Sequence, residues 1–133
     1  MVDFKVLEQN LPRIDARDKV TGRAVYASDV YLPGMLMCKL LPSTHAHARI
    51  LSIDTSKAEV LQGVRSVITG QDFPDIRFGS GALKDRYIMA RDEVFYIGEP
   101  VAAIAADDEI TAQEAIDLIE IVYEELPSVI DPI

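Results

Sequence analysis

The spacing of apolar and polar positions changes several times along this chain, and each change predicts an element. Ala24 to Tyr31 reads as extended, Leu32-Pro33-Gly34-Met35 carries the Pro and Gly placement of a type II turn, and Met35 to Leu41 is an apolar run closed by Pro42. Strands at 24–31 and 35–41, joined as a hairpin-like pair, are therefore expected. Arg49 to Asp54 is a third strand. Ser56 followed by Glu59 predicts a capping box and a short helix ending at Gly63, after which Val64 to Thr69 returns as a strand. Gly70 to Arg86 has no apolar period and contains Pro74 and Gly79-Ser80-Gly81, so it predicts a mobile surface loop; Tyr87 to Ile97 is extended.

The last third carries the clearest pattern. Val101 to Ala106 is continuously apolar with four alanines, as expected of a strand covered on both faces. Thr111 and Glu114 suggest a second capping box. Ala112, Ala115, Ile116 and Ile119 then fall at i, i+3, i+4 and i+7, opposite Glu114, Asp117 and Glu120, which predicts a helix with one buried face. Ile121 to Glu124 leaves as a strand stopped by Pro127. The expected fold is α+β: a mixed sheet, two main helices and two β-α-β units at 49–69 and 101–124. Residues 1–22 alternate charge with few apolar positions and are expected to form a surface arm, leaving residues 23–133 as the folded domain.

Composition narrows the classes. A chain of 133 residues with 49% apolar side chains can build its own core. The 13 Lys+Arg against 22 Asp+Glu give a net charge of −9, which opposes nucleic acid and anionic membranes. No apolar run approaches the roughly 20 residues of a spanning helix, and the start lacks a secretory signal core. The lone cysteine, Cys38, excludes an internal disulfide and suits a reducing cytoplasmic setting.

Candidate chemistry is sparse. His45 and His47 share one face if extended and could begin a metal site with Cys38 or Asp54, but nothing else clusters with them; ordinary hydrogen-bonded or exposed histidines are expected. Cys38 lies in an apolar run, where a thiol is expected to be a small core side chain with a raised pKa. Asp107-Asp108 and Glu124-Glu125 could support acid–base chemistry only if desolvated; a helix N-terminus and a solvated strand end account for them. Gly79-Ser80-Gly81 could cradle an anion but lacks the following helix and the Walker or dinucleotide spacing. Gly98-Glu99-Pro100 marks either a turn or a place of close backbone approach.

The order of motifs resembles one family: the molybdenum-binding large subunit of the xanthine dehydrogenase and aldehyde oxidase type, in its N-terminal α/β hammerhead domain. The matching blocks are Lys19-Val20-Thr21-Gly22, Ala24-Val25-Tyr26, Ser43 to Ile50, Ile53 to Ala58, Gly63-Val64, Tyr96 to Ala102 and Val122 to Pro127. They run from about residue 13 to the end. The stretch Ala90 to Val94 is more like 4-hydroxybenzoyl-CoA reductase and its bacterial or archaeal relatives than animal purine oxidases. The resemblance implies a structural and assembly domain of an oxidoreductase that hydroxylates or dehydroxylates an aromatic, heterocyclic or aldehyde substrate. It implies that molybdopterin, iron–sulfur clusters and FAD are held by other domains or subunits, which would be the partners, and that no catalytic, cofactor or metal residue lies here. His45 and His47 become packing residues on this view. Tyr96, Ile97, Gly98, Glu99 and Pro100 are expected to face a partner domain. A piece of a longer subunit is expected rather than a split gene product; a free-standing interaction module and a small acid–base enzyme using Asp107 or Glu124 are the competing classes.

Overall fold

A computed structural model describes residues 11–131, so positions 1–10 of the expected arm and 132–133 of the expected domain lie outside the described residues. The chain divides into two units, Met1–Pro33 and Gly34–Ile133.

In the first unit, α1 (Ala16–Val20) buries no side chain. Its Asp15 carboxylate takes Lys19 at 2.6 Å and Arg13 at 3.0 Å, and those two cations, Lys19 foremost, hold its pKa below the usual carboxylate range. The strand expected at 24–31 does not form. Asp29 accepts the Tyr26 N–H at 2.9 Å and closes a 3-10 turn over Ala27–Asp29, a local side-chain bond that competes with extension. Without that strand there is no hairpin, although the Pro33–Gly34 turn is present, with Gly34 at φ 76°.

The second unit contains six strands: β1 (Met37–Pro42), β2 (Ala48–Asp54), β3 (Val64–Thr69), β4 (Glu93–Val94), β5 (Pro100–Ala106) and β6 (Glu120–Glu125). Two helices, α2 (Ser56–Glu59) and α3 (Glu109–Asp117), join β2 to β3 and β5 to β6. The α+β class holds, but the sheet organisation differs from the expectation. There are two three-stranded sheets, ordered β1-β5-β3 and β4-β2-β6, and each pairing within them is antiparallel. Successive strands alternate between the sheets, so the two β-α-β stretches carry the chain from one sheet to the other and form no parallel crossover. Both helices pack on the outer face of the β1-β5-β3 sheet, opposite the second sheet.

Strand β5 is the centre. Its burial is near complete along the whole length, as its apolar run predicts. Ile104 and Ala106 point to one side, against Ala58 of α2 and Ala112, Ala115 and Ile116 of α3, with Leu41, Val64, Val67 and Ile119 closing the margin. Val101, of opposite parity, faces the other way and packs with Ala48, Ala90 and Val94, flanked by Ile50, Ile53, Ile121 and Tyr123 of the second sheet. The predicted buried face of α3 is thus correct. Small side chains on both partners bring helix and strand close together.

Caps depart from expectation in detail. At α2 the Ser56–Glu59 box is replaced by Asp54, which accepts the Ser56 N–H at 3.0 Å, while Thr55 donates its hydroxyl to Glu59. At α3 the cap is Asp108, accepting both the N–H and the hydroxyl of Thr111 at 2.8 Å; Thr111 lies inside the first turn and caps nothing. An aspartate earlier by two or three positions wins because its short carboxylate reaches the free N–H groups while its own backbone stays outside the helix.

The 70–86 loop contains local structure that its sequence pattern does not mark. Thr69 and Asp72 cap a 3-10 turn over Gly70–Asp72, and Phe78 and Arg86 form an antiparallel bridge. The stretch 87–97 contributes only the two residues of β4 to a sheet. Gly70 is buried, and a Cβ there would run into the carbonyl of Ala90. Gly70→Ala is expected to cost about 1–3 kcal/mol through forced displacement of Ala90, and Ile104→Ala about 2–5 kcal/mol through the cavity it leaves, both read from urea unfolding midpoints.

Candidate functional site

Residues 43–47 leave β1 and enter β2 through a short polar connection. Ser43, 2% exposed, accepts the His45 N–H and donates its hydroxyl to the His45 carbonyl, so the connection is closed by its own first side chain. Its backbone also holds the neighbouring turn: Ser43 N–H donates to the Glu99 carbonyl and Gly98 N–H to the Ser43 carbonyl, each at 2.8 Å. Gly98 takes φ 93°, with no other described atom of the chain within 4 Å of where its Cβ would be, so Gly98-Glu99-Pro100 is a turn that needs a left-handed residue. Glu99 completes it by accepting the Phe95 N–H at 2.7 Å.

The two histidines do not converge on a common point. His45 lies against the Tyr123 ring, centroids 4.4 Å apart, and its Nδ1 meets the Thr44 hydroxyl. Burial raises the Tyr123 phenol above its usual range, with a smaller opposing effect from Ser43. His47 stacks on Phe95 at 5.7 Å and is held through both ring nitrogens: Nε2 to Glu93 Oε1 at 2.6 Å and Nδ1 to the Pro127 carbonyl at 2.7 Å. The Pro127 carbonyl and then the Glu93 carboxylate raise its pKa above that of an ordinary imidazole. Glu93 and Pro127 lie 46 and 80 positions from His47 along the chain, and no local pattern in the sequence marks them as its partners.

The other candidates separate as well. Cys38 is exposed, contrary to the core thiol expected, because alternation along β1 turns Met37, Lys39 and Leu41 inward and leaves Cys38 and Leu40 outside. Lys39 tolerates the inward position by running its stem to Gln113 at 3.0 Å and Glu109 at 3.2 Å on α3. Asp54 caps α2. Asp107 accepts from Nε and Nη2 of Arg65, each at 2.7 Å, and Asp108 caps α3. Arg65 lowers the Asp107 pKa and the Thr111 bonds lower that of Asp108, the reverse of what a general acid at neutral pH requires. Glu124 pairs with Arg49. Gly79 is packed so closely against the Leu83 carbonyl that no side chain fits there.

Among the described residues no three His, Cys, Asp or Glu side chains gather as a metal-binding group, and no buried side-chain N or O atom lacks a partner. These donors do not fit a molybdenum centre or a pterin, whose many polar atoms require convergent, unpaired hydrogen-bonding groups. What the region does offer is an apolar groove of about 520 Å³ lined by Ala46, His47, Phe95, Tyr96, Ile97 and the 127–130 segment. Among the described residues no helix is long and apolar enough to cross a membrane.

The described residues thus form two interleaved antiparallel sheets, with a helix pair packed on one of them and an apolar groove beside the 43–47 connection. The chain belongs to the aldehyde oxidase and xanthine dehydrogenase a/b hammerhead family, whose model matches residues 21–127. It is 44% identical over 115 residues to a probable xanthine dehydrogenase component of Bacillus subtilis, covering 86% of this chain and 15% of that protein. It is 41% identical over 114 residues to the carbon monoxide dehydrogenase large chain of Afipia carboxidovorans, covering 84% and 14%. Among solved structures, reconstituted CO dehydrogenase from Oligotropha carboxidovorans matches with a TM-score of 0.84 and 38% identity over 92% of this chain and 16% of that one. The chain therefore spans about one seventh of these relatives.

The cap and pair aspartates set the acid limit. Asp54, Asp107 and Asp108 all have pKa values below the usual 3.8, Asp54 chiefly through Ser56. A carboxylate depressed by folding adds stability above its unfolded pKa and loses it as pH falls through the folded value. Thermal midpoints are expected to hold down to about pH 4 and to fall below it. The decline should be shallower in the Asp54→Asn, Asp107→Asn, Asp108→Asn triple variant.

Proposed function

We propose that this chain acts as the assembly domain of a molybdenum hydroxylase-type oxidoreductase, burying its groove against a neighbouring domain while the reaction takes place elsewhere. The observation that carries this reading is the side-chain content of that groove. Phe95, Ile97 and Ile130 are 59%, 69% and 83% exposed, and with Tyr96 and Val129 they make a continuous apolar surface of a kind that soluble monomers rarely leave uncovered. Tyr96 and Ile97 are the anchoring side chains, and Gly98, Glu99 and Pro100 form the turn that presents them. The partners are the molybdenum-binding domains of the same subunit together with iron–sulfur and FAD-bearing domains or subunits. The complete enzyme oxidises or reduces an aromatic, heterocyclic or aldehyde substrate in the cytoplasm, with molybdopterin supplying the redox chemistry. Support comes from relatives that include a "Nicotinate dehydrogenase large molybdopterin subunit" from Eubacterium barkeri and a "Xanthine dehydrogenase molybdenum-binding subunit" from Escherichia coli. We place the boundary between arm and domain at residues 22 and 23, near the start of the family match at 21.

Ile97→Asp, introduced into the gene that encodes this chain, tests the reading without the backbone strain that any substitution at Gly98 brings. The isolated chain should unfold within about 0.5 kcal/mol of the parent, as for other exposed positions. The purified oxidoreductase should lose molybdenum and mass together, measured by metal analysis and light scattering. Full assembly of the variant would remove Tyr96 to Pro100 from the interface. Absence of molybdenum from the wild-type complex would overturn the functional reading itself.

A further inference from the structure

The contacts of His47 require more protons than a neutral imidazole has. A carbonyl oxygen only accepts hydrogen bonds, so Nδ1 facing Pro127 at 2.7 Å must carry a proton. An ionised carboxylate also only accepts, so Nε2 facing Glu93 at 2.6 Å must carry one too. Both bonds exist together only in the imidazolium. The ring therefore ties three pieces of chain with one charge: its own connection into β2, the short strand β4, and the segment that continues past β6. The main chain adds a parallel tie, Leu126 N–H to the His47 carbonyl at 3.0 Å.

We propose that His47 is a proton-dependent clasp that closes the 127–130 segment onto the second sheet and releases it when the ring loses its charge. A neutral ring keeps one proton. Left on Nε2, it preserves the bond to an ionised acceptor, which is the stronger of the two, and the Pro127 carbonyl is let go. Pro127 forms one wall of the apolar groove with Val129 and Ile130, so the release alters the shape of that groove. The inference stands on the geometry of the ring and is independent of what the groove binds.

Few other charges contend for this ring. Glu93 is the carboxylate that faces it from β4. The neighbouring charges on β2 and β6 are Arg49 and Glu124, engaged with each other, and Glu125, opposite Ala48. Glu99 is committed to the Phe95 N–H, and Tyr96 is the other titratable group lining the groove. The raised pKa of His47, caused first by Pro127 and then by Glu93, agrees with the contacts. A basic group whose pKa is raised by folding contributes its stabilisation in full below the unfolded pKa and loses it as pH rises through the folded value. The clasp is accordingly closed below the ordinary imidazole pKa of about 6.5 and opens as pH rises through the raised value of the folded chain.

The test is a titration of the 133-residue chain by nitrogen-15 NMR between pH 5 and 9, with the two imidazoles assigned through the His47→Phe variant. His47 is expected to titrate above the ordinary imidazole value of about 6.5, doubly protonated below its midpoint and protonated at Nε2 above it. The Ser128 and Val129 amide resonances should shift with the same midpoint, while β5 amides do not move with it. In Glu93→Gln, which keeps a polar partner and the fold, the midpoint should move down. A midpoint at or below the ordinary value, a neutral ring protonated at Nδ1, tail amides without the matching transition, or an unmoved midpoint in Glu93→Gln would each overturn the clasp. Should His47→Phe not fold, assignment through His45→Gln leaves every one of these readings available.

Discussion

Everything in the second unit is organised around covering β5 on both faces. Burying an apolar strand between a helix layer and a second sheet demands small side chains where backbones approach, and Ala102, Ala103, Ala105 and Ala106 supply them. The matching alanines are Ala58 on α2 and Ala112 and Ala115 on α3. Against this uniform background the larger side chains, Ile104 on one face and Val101 on the other, act as keys that set where helix and sheet sit. A core built this way is thin. It fixes position well but hides few of the molecule's large apolar residues, which accounts for how many remain on its outside.

That leftover apolar surface connects fold to role. The region around the histidines has the parts of an active site in miniature, with imidazole, carboxylate, phenol and hydroxyl side by side, yet each polar group is already committed to a neighbour within the domain. Such a network orders loops. The groove beside it is walled mostly by carbon. The chain belongs to the hammerhead family and corresponds to 16% of a solved relative.

How much of this can be seen in the sequence depends on how local the cause is. The buried strand at 101–106 and the buried face of α3 are legible because their periods are set by residues within one or two turns of one another. The family is legible from blocks such as Ser43 to Ile50 and Tyr96 to Pro100. The caps lie two or three positions from where the pattern points, because Ser56 and Thr111 are good cap residues that happen to follow better ones, Asp54 and Asp108. The exposure of Cys38 is hidden because an apolar run does not tell which alternate positions face inward, and here a lysine takes the inner side. His47 is illegible in a stronger sense, since its two partners come from chain segments that only the folded sheet brings together.

The alternation of strands between the two sheets has a consequence for how such a unit can be inherited or divided. Neighbours in sequence are never neighbours in a sheet, so neither sheet is encoded by a contiguous stretch, and a break at any of the inner connections divides both layers at once. There is no smaller module inside it to be shuffled, duplicated or trimmed away. The sequence blocks that mark the family are accordingly spread from Lys19 to Pro127 and are not gathered in one stretch.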